Sequence, residues 1–194
     1  MKATQQLKDE HRAVTLMLEI LEKALIRAEE GMVDLTDLQE IIGFLKGFVD
    51  KCHHGKEEDL LFPVLKERGI PETGGPIGQM LFEHQQGRSH IQAMVGAVES
   101  LKPGSNADDA IRRFSDAGRE YIGLLTSHIE KENQILFRLA DSVLDETAQD
   151  ALYEQFETLE EERIGIGQHE KYHELLKHLA AKYLQDHSGQ HHNG

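Results

Sequence analysis

The stretch CHHGKEEDLLF, Cys52–Phe62, sets two adjacent histidines ahead of two adjacent glutamates. Either His53 with Glu57 or His54 with Glu58 has the HxxxE spacing that puts an imidazole and a carboxylate on one face of a helix. A second stretch decides between them. HIEKENQILF, His128–Phe137, aligns with HHGKEEDLLF, His53–Phe62, and His, Lys, Glu, Leu and Phe coincide at offsets 0, 3, 4, 8 and 9. His53 thereby matches His128, and Glu57 matches Glu132. Helical geometry agrees. At about 100° per residue, His53 and Glu57 lie beside the apolar stripe Ile42, Val49, Leu60 and Val64, and the other pair is turned about another 100° away. His53 and Glu57 are expected to face inward. His54 and Glu58 are expected at the surface, at most supporting the inner pair.

The repeat extends to the flanking helices. DEHRAVTLML from Asp9 and FEHQQGRSHI from Phe82 share a Glu-His step, and the spacings His11–His53 and His84–His128 are 42 and 44 residues. A duplicated helical hairpin accounts for both. One histidine on an apolar stripe reads as a core residue bonded to a neighbour. Four of them, one per helix at similar depth, with two glutamates a turn further on, read differently. Buried carboxylates are costly without compensating charge. A pair of multivalent cations supplies that charge and favours neutral, ligating imidazoles. Imidazole and carboxylate without thiolate suit iron, manganese or zinc. Two carboxylates with two histidines per metal suit a two-iron centre, and a single structural zinc would not need six ligands.

Working outward, the apolar spacing is helical throughout. Helices are predicted from about Thr4 to Glu30, from an Asp34 or Thr36 cap to Lys66, from Pro76 to Lys102, and on to Asp141. The fold class is all-α: an up-down antiparallel four-helix bundle over residues 1–141. A C-terminal helical extension, 142–185, is interrupted near Gly165–Gly167. It either covers the bundle or pairs two copies as a homodimer. The polar tail 186–194 reads as a frayed end. Acidic residues outnumber basic ones 35 to 21, for a net charge of −14. That balance argues against nucleic acid and anionic membranes as partners. The lone cysteine, Cys52, excludes an intrachain disulfide. With no apolar leader or spanning segment, a cytoplasmic protein is expected.

The motifs DEHR around His11, CHHGKEEDLLFP, MLFEHQQGR around His84 and SHIEKENQILF, in that order, resemble the hemerythrin-like cation-binding family over about residues 5–140. The resemblance implies a non-heme di-iron site, oxo- or hydroxo-bridged. Glu57 and Glu132 would bridge the irons, and His11, His53, His84 and His128 would be terminal ligands. Oxygen-carrying members have a further histidine four residues after the one matching His84. Arg88 stands there and cannot ligate. It is expected either to bond a bridging carboxylate or a bound anion, or to reach solvent at the helix edge. Tyr121 is a second candidate beside the site. Glu161, Glu162 and His169 are candidates for an approach of the C-terminal segment to its mouth.

Three functions are open on this reading. The first is binding or reaction of dioxygen, peroxide or nitric oxide, including catalase-like turnover. The second is iron or redox sensing, or donation of iron for cluster repair. The third is a structural bundle around a redox-silent metal such as zinc.

Overall fold

The computed structural model describes residues 2–101, 104 and 106–185, so the tail expected to fray, 186–194, lies outside the described residues. Helices without strands make up the described chain. Helix α1 is Ala3–Glu29, and its stripe Leu7, His11, Val14, Leu18, Leu21 and Leu25 is buried. It stops at Gly31, where φ is 82°. There the Gly31 and Met32 N–H groups donate to the carbonyls of Ala28 and Arg27 at 3.0 and 2.8 Å. This left-handed cap suits glycine because it has no Cβ to clash.

Helix α2 is unbroken and runs through four segments: Leu35–Phe44, Leu45–His54, Glu57–Leu61 and Phe62–Glu67. Asp34 caps it, accepting from the N–H groups of Thr36 and Asp37 at 3.1 and 3.2 Å. The segments Leu45–His54 and Glu57–Leu61 are π-helical. Their i→i+5 bonding widens the turn and lowers the rotation between successive side chains. Helix α3 is Pro76–Glu99, with proline in the first turn. Helix α4 begins as Ala107–Lys131, passes through a π-helical turn, Glu132–Leu136, and ends as Phe137–Val143. Both halves of the repeat thus carry a widened turn that starts at the glutamate of the HxxxE pair.

Helices α1–α4 form the up-down bundle. Their apolar side chains form two clusters. One gathers Leu18, Phe44, Phe48, Met94, Phe114 and Tyr121. The other gathers Leu7, Leu61, Phe62, Met80, Leu136 and Phe137. Between them lies a buried polar band.

The extension forms two helices, α5 (Glu146–Arg163) and α6 (Gln168–Tyr183), separated where Gly165 and Gly167 take φ of 92° and 76°. Both pack on α1 and α2. Leu152 and Phe156 of α5 join the cluster of Leu7 and Phe137. Each such buried side chain contributes about 1.5–3 kcal/mol. On α6, the Tyr172 ring meets Phe44 and Phe48 at 5.5 and 5.8 Å. Gly47 permits this approach, because a Cβ there would stand 1.9 Å from Tyr172 Oη. At its far end, Tyr183 Oη donates to the buried Asp37 at 2.6 Å.

Candidate metal centre

The polar band consists of His11, His53, His54, Glu57, His84, His128 and Glu132, each at most 3% exposed. The Nε2 atoms of His11 and His53 stand 3.1 Å apart, and those of His84 and His128 stand 3.2 Å apart. Glu132 Oε2 lies 3.1 Å from His11 Nε2 and 3.3 Å from His128 Nε2. Glu57 reaches toward the other two imidazoles, with Oε1 3.7 Å from His53 Nε2 and Oε2 3.4 Å from His84 Nε2. Each glutamate therefore stands between one histidine of the first hairpin and one of the second. The potential ligand atoms fall into two groups, each within a 4.8 Å span: His11, His53, Glu57 and Glu132, and His54, Glu57, His84 and His128. Glu57 belongs to both.

The outward nitrogen of each expected ligand is held by an oxygen. His53 Nδ1 donates to Glu10 at 2.8 Å and His128 Nδ1 to Glu83 at 2.9 Å. His84 Nδ1 donates to Glu58 at 2.7 Å and His11 Nδ1 to Asn133 Oδ1 at 3.0 Å. Placing the proton on Nδ1 leaves the Nε2 lone pair aimed at the centre, the arrangement that orients metal-binding imidazoles.

This support obeys the same duplication as the inner residues. Glu10 and Glu83 each precede a histidine by one position. Glu58 and Asn133 each follow an inward glutamate. Lys56 bonds Glu10 at 2.5 Å, and Lys131 bonds Glu83. The shared Glu-His step and the shared lysine at offset 3 are thus the sequence trace of this outer layer. The glutamine of Gln79 also donates to Glu83, at 2.7 Å.

Electrostatics follow from these contacts. Burial pushes Glu10 upward, but the His53 bond and the Lys56 charge outweigh it and hold the carboxyl below its usual range. Burial likewise opposes ionisation of Glu83, and bonds from His128 and Lys131 bring it down to about 2. For Glu132, the imidazoles of His128 and His11 overcome burial and keep it ionised. Burial and the neighbouring imidazoles hold His54 neutral. Burial also pushes the Cys52 thiol up to about 12, so it is a small apolar group and not a thiolate.

Several buried atoms of the band have no hydrogen-bond partner among the described residues: both oxygens of Glu57, Glu132 Oε1 and both ring nitrogens of His54. Such orphans are costly. Glu57, Glu132 and His54 each offer an atom to one or both of the ligand groups. A nitrogen-and-oxygen donor set of this kind fits a multivalent cation.

The structure corrects one expectation outright: His54 is not at the surface. It is 3% exposed, and its ring stacks on His84 with centroids 3.8 Å apart and planes at 14°. Glu58 is half-buried and supports His84. Arg88 reaches neither inward glutamate. Its guanidinium bonds Asp50 and Glu58, each at 2.7 Å, with the side chain one-third exposed. Tyr121 is fully buried in the apolar cluster above the band, and its hydroxyl has no partner among the described residues.

Glu161 and Glu162 are exposed and lie outside both ligand groups, as does His169. The inward residue of that segment is Glu160. It takes the second bond of Lys56, at 2.7 Å, and its other oxygen lies 2.8 Å from His169 Nδ1. Glu160 is not legible in the sequence, because no periodic signal distinguishes it among consecutive acidic residues.

Fold and site together define a metal-binding helical bundle in which buried imidazoles and carboxylates are grouped closely enough to hold a metal ion. Residues 2–140 match the Hemerythrin HHE cation binding domain, and the chain belongs to that family. It is 32% identical over 85 residues to the iron-sulfur cluster repair protein YtfE of Dickeya chrysanthemi (strain Ech1591), covering 44% of this chain and 38% of that protein. The corresponding protein of Musicola paradisiaca (strain Ech703) is 31% identical, with the same coverage. That of Salmonella newport (strain SL254) is 29% identical, covering 44% of this chain and 39% of the relative. The match therefore spans well under half of each relative. No solved structure matches this chain. No helix among the described residues is long and apolar enough to cross a membrane.

Proposed function

We propose that this chain holds two iron ions through His11, His53, Glu57, His84, His128 and Glu132, and uses them to bind or react with dioxygen, peroxide or nitric oxide. The observation that carries this reading is the placement of Glu57. Its two oxygens are buried, make no hydrogen bond, and face a histidine from each half of the repeat. A residue so placed is explained by two cations sharing it. Bound iron would supply a redox change and inner-sphere coordination of a small molecule. The chain itself fixes the imidazoles through Glu10, Glu83, Glu58 and Asn133. It also excludes water with the apolar clusters above and below. A cytoplasmic setting belongs to the same reading.

Metal analysis with an optical spectrum, before and after oxygen and peroxide, tests it. Two irons per chain and a spectrum that responds to an oxidant are expected. Substituting His53→Ala or Glu132→Ala should abolish stoichiometric iron. Retention of two irons in either variant overturns the ligand assignment.

A second reading is favoured by the relatives, which are named for iron-sulfur cluster repair. On it, the chain stores iron and gives it up. Iron transfer to a metal-free acceptor, measured beside peroxide consumption, separates the two.

A further inference from the structure

His54 stands in one of the two ligand groups but outside the six residues proposed to hold iron, and its position is hard to reconcile with packing alone. The side chain is 3% exposed, and neither ring nitrogen has a hydrogen-bond partner among the described residues; Asp50 Oδ1 lies 3.8 Å from Nδ1, beyond hydrogen-bond reach. The other imidazoles of the band each have an oxygen on Nδ1. A buried histidine that serves the core satisfies at least one nitrogen, because an unmatched buried polar atom forfeits its hydration with nothing in return. His54 leaves two unmatched.

Both nitrogens belong to a ring packed inside the band. It lies flat on His84 at 3.8 Å and edge-on to His128 at 5.7 Å and 79°. One ring nitrogen shares a 4.8 Å span with ligand atoms of Glu57, His84 and His128. At the matching position of the second half of the repeat stands Ile129, a side chain with no donor atom. The duplication is therefore broken here, on one side only.

We propose that His54 is a fifth imidazole ligand, serving the metal position formed by His84, His128 and Glu57. This rests on the two-metal reading above and makes the two positions unequal. One has three imidazoles and the other, at His11 and His53, has two. His54 also differs in how it is held. Its ring stacks on His84, and no hydrogen bond holds its second nitrogen, Asp50 Oδ1 lying 3.8 Å from Nδ1. An imidazole without that outer bond is a weaker, more readily released ligand.

Ferrous iron binding to the full chain tests this, read by stoichiometry, by release to a chelator, and by melting temperature with and without metal. His54→Leu replaces the ring by an apolar side chain of similar volume. The metal-free variant should melt no lower than the parent. Its melting temperature should rise less on iron addition, and one of the two irons should leave to the chelator about tenfold faster or more. His54→Gln, which keeps a polar group, should show the same split between the two irons. A metal-free His54→Leu protein that is destabilised, with iron release and the iron-induced rise unchanged, would make His54 a packing residue. If His54→Leu does not fold, unchanged iron release in His54→Gln overturns the proposal. A parent chain that binds no iron overturns the two-metal reading itself.

Discussion

Lys56 Nζ lies 2.5 Å from Glu10 Oε1 and 2.7 Å from Glu160 Oε2, and the lysine is fully buried. One ammonium thus joins the carboxylate that holds His53 to a carboxylate of the C-terminal extension. Substituting Lys56→Met leaves Glu10 buried without its cation. Loss of about 3–5 kcal/mol in urea unfolding of the metal-free chain is expected. Metal affinity should fall about 10–100-fold, since His53 loses its fixed orientation. Lys131→Met, at the matching position, should cost clearly less, because Lys131 is itself one-third exposed and Gln79 still donates to Glu83. Equal losses in the two variants would refute this account.

Glu160 gives the pH dependence of the extension's attachment. Burial raises its pKa, but the bond to His169 and the charge of Lys56 outweigh that and lower it from 4.5 to about 2. A depressed carboxylate stabilises the fold fully above its unfolded value. That contribution is lost as pH falls from about 4.5 through about 2. The urea midpoint of the parent should therefore fall more steeply across that window than that of Glu160→Gln. At neutral pH the variant should be the less stable of the two. Parallel profiles would show that Glu160 contributes nothing through its charge.

Gly47 controls the seat of α6. A Cβ there would stand 1.9 Å from Tyr172 Oη and 2.9 Å from its Cζ, and the ring is packed on Phe44 and Phe48. Gly47→Ala should cost about 1–3 kcal/mol by overpacking. Amide exchange should speed up in Gln168–Tyr183 while metal stoichiometry stays the same. Unchanged protection of α6 would mean that Tyr172 rotates away freely.

Tyr121 tests whether a phenol acts beside the centre. Its hydroxyl is buried with no partner among the described residues. Tyr121→Phe should be neutral or stabilise by up to about 1 kcal/mol. The optical response to peroxide should not change. A loss of that response would assign the hydroxyl a role in the chemistry.

Much of the site is legible in the sequence. The repeat and the helical phase bring His11, His53, Glu57, His84, His128 and Glu132 inward, and the structure gathers all of them in one buried band. Those residues stand on stripes whose period a sequence displays directly. The outer layer was half-legible. The Glu-His step and the shared lysine were visible as coincidences, and only the fold shows Glu10 and Lys56 in contact.

His54 marks the limit. The sequence by itself determined the helices, the duplication and the face each helix turns to the centre. A regular helix would carry His54 away from that face. Tertiary structure decided otherwise, for two physical reasons. The π-helical segments Leu45–His54 and Glu57–Leu61 shift the phase of α2 away from that of a regular helix, and both rings enter the band. The extension then covers the outer face of α2, where Leu159 and Arg163 stand 3.7 Å from the place a Cβ on Gly55 would take. Every residue from Cys52 to Glu57 is buried as a result. Periodicity reports one helix facing one core. It carries no record of a second neighbour, or of a shift in helical phase that turns consecutive side chains into the same buried band.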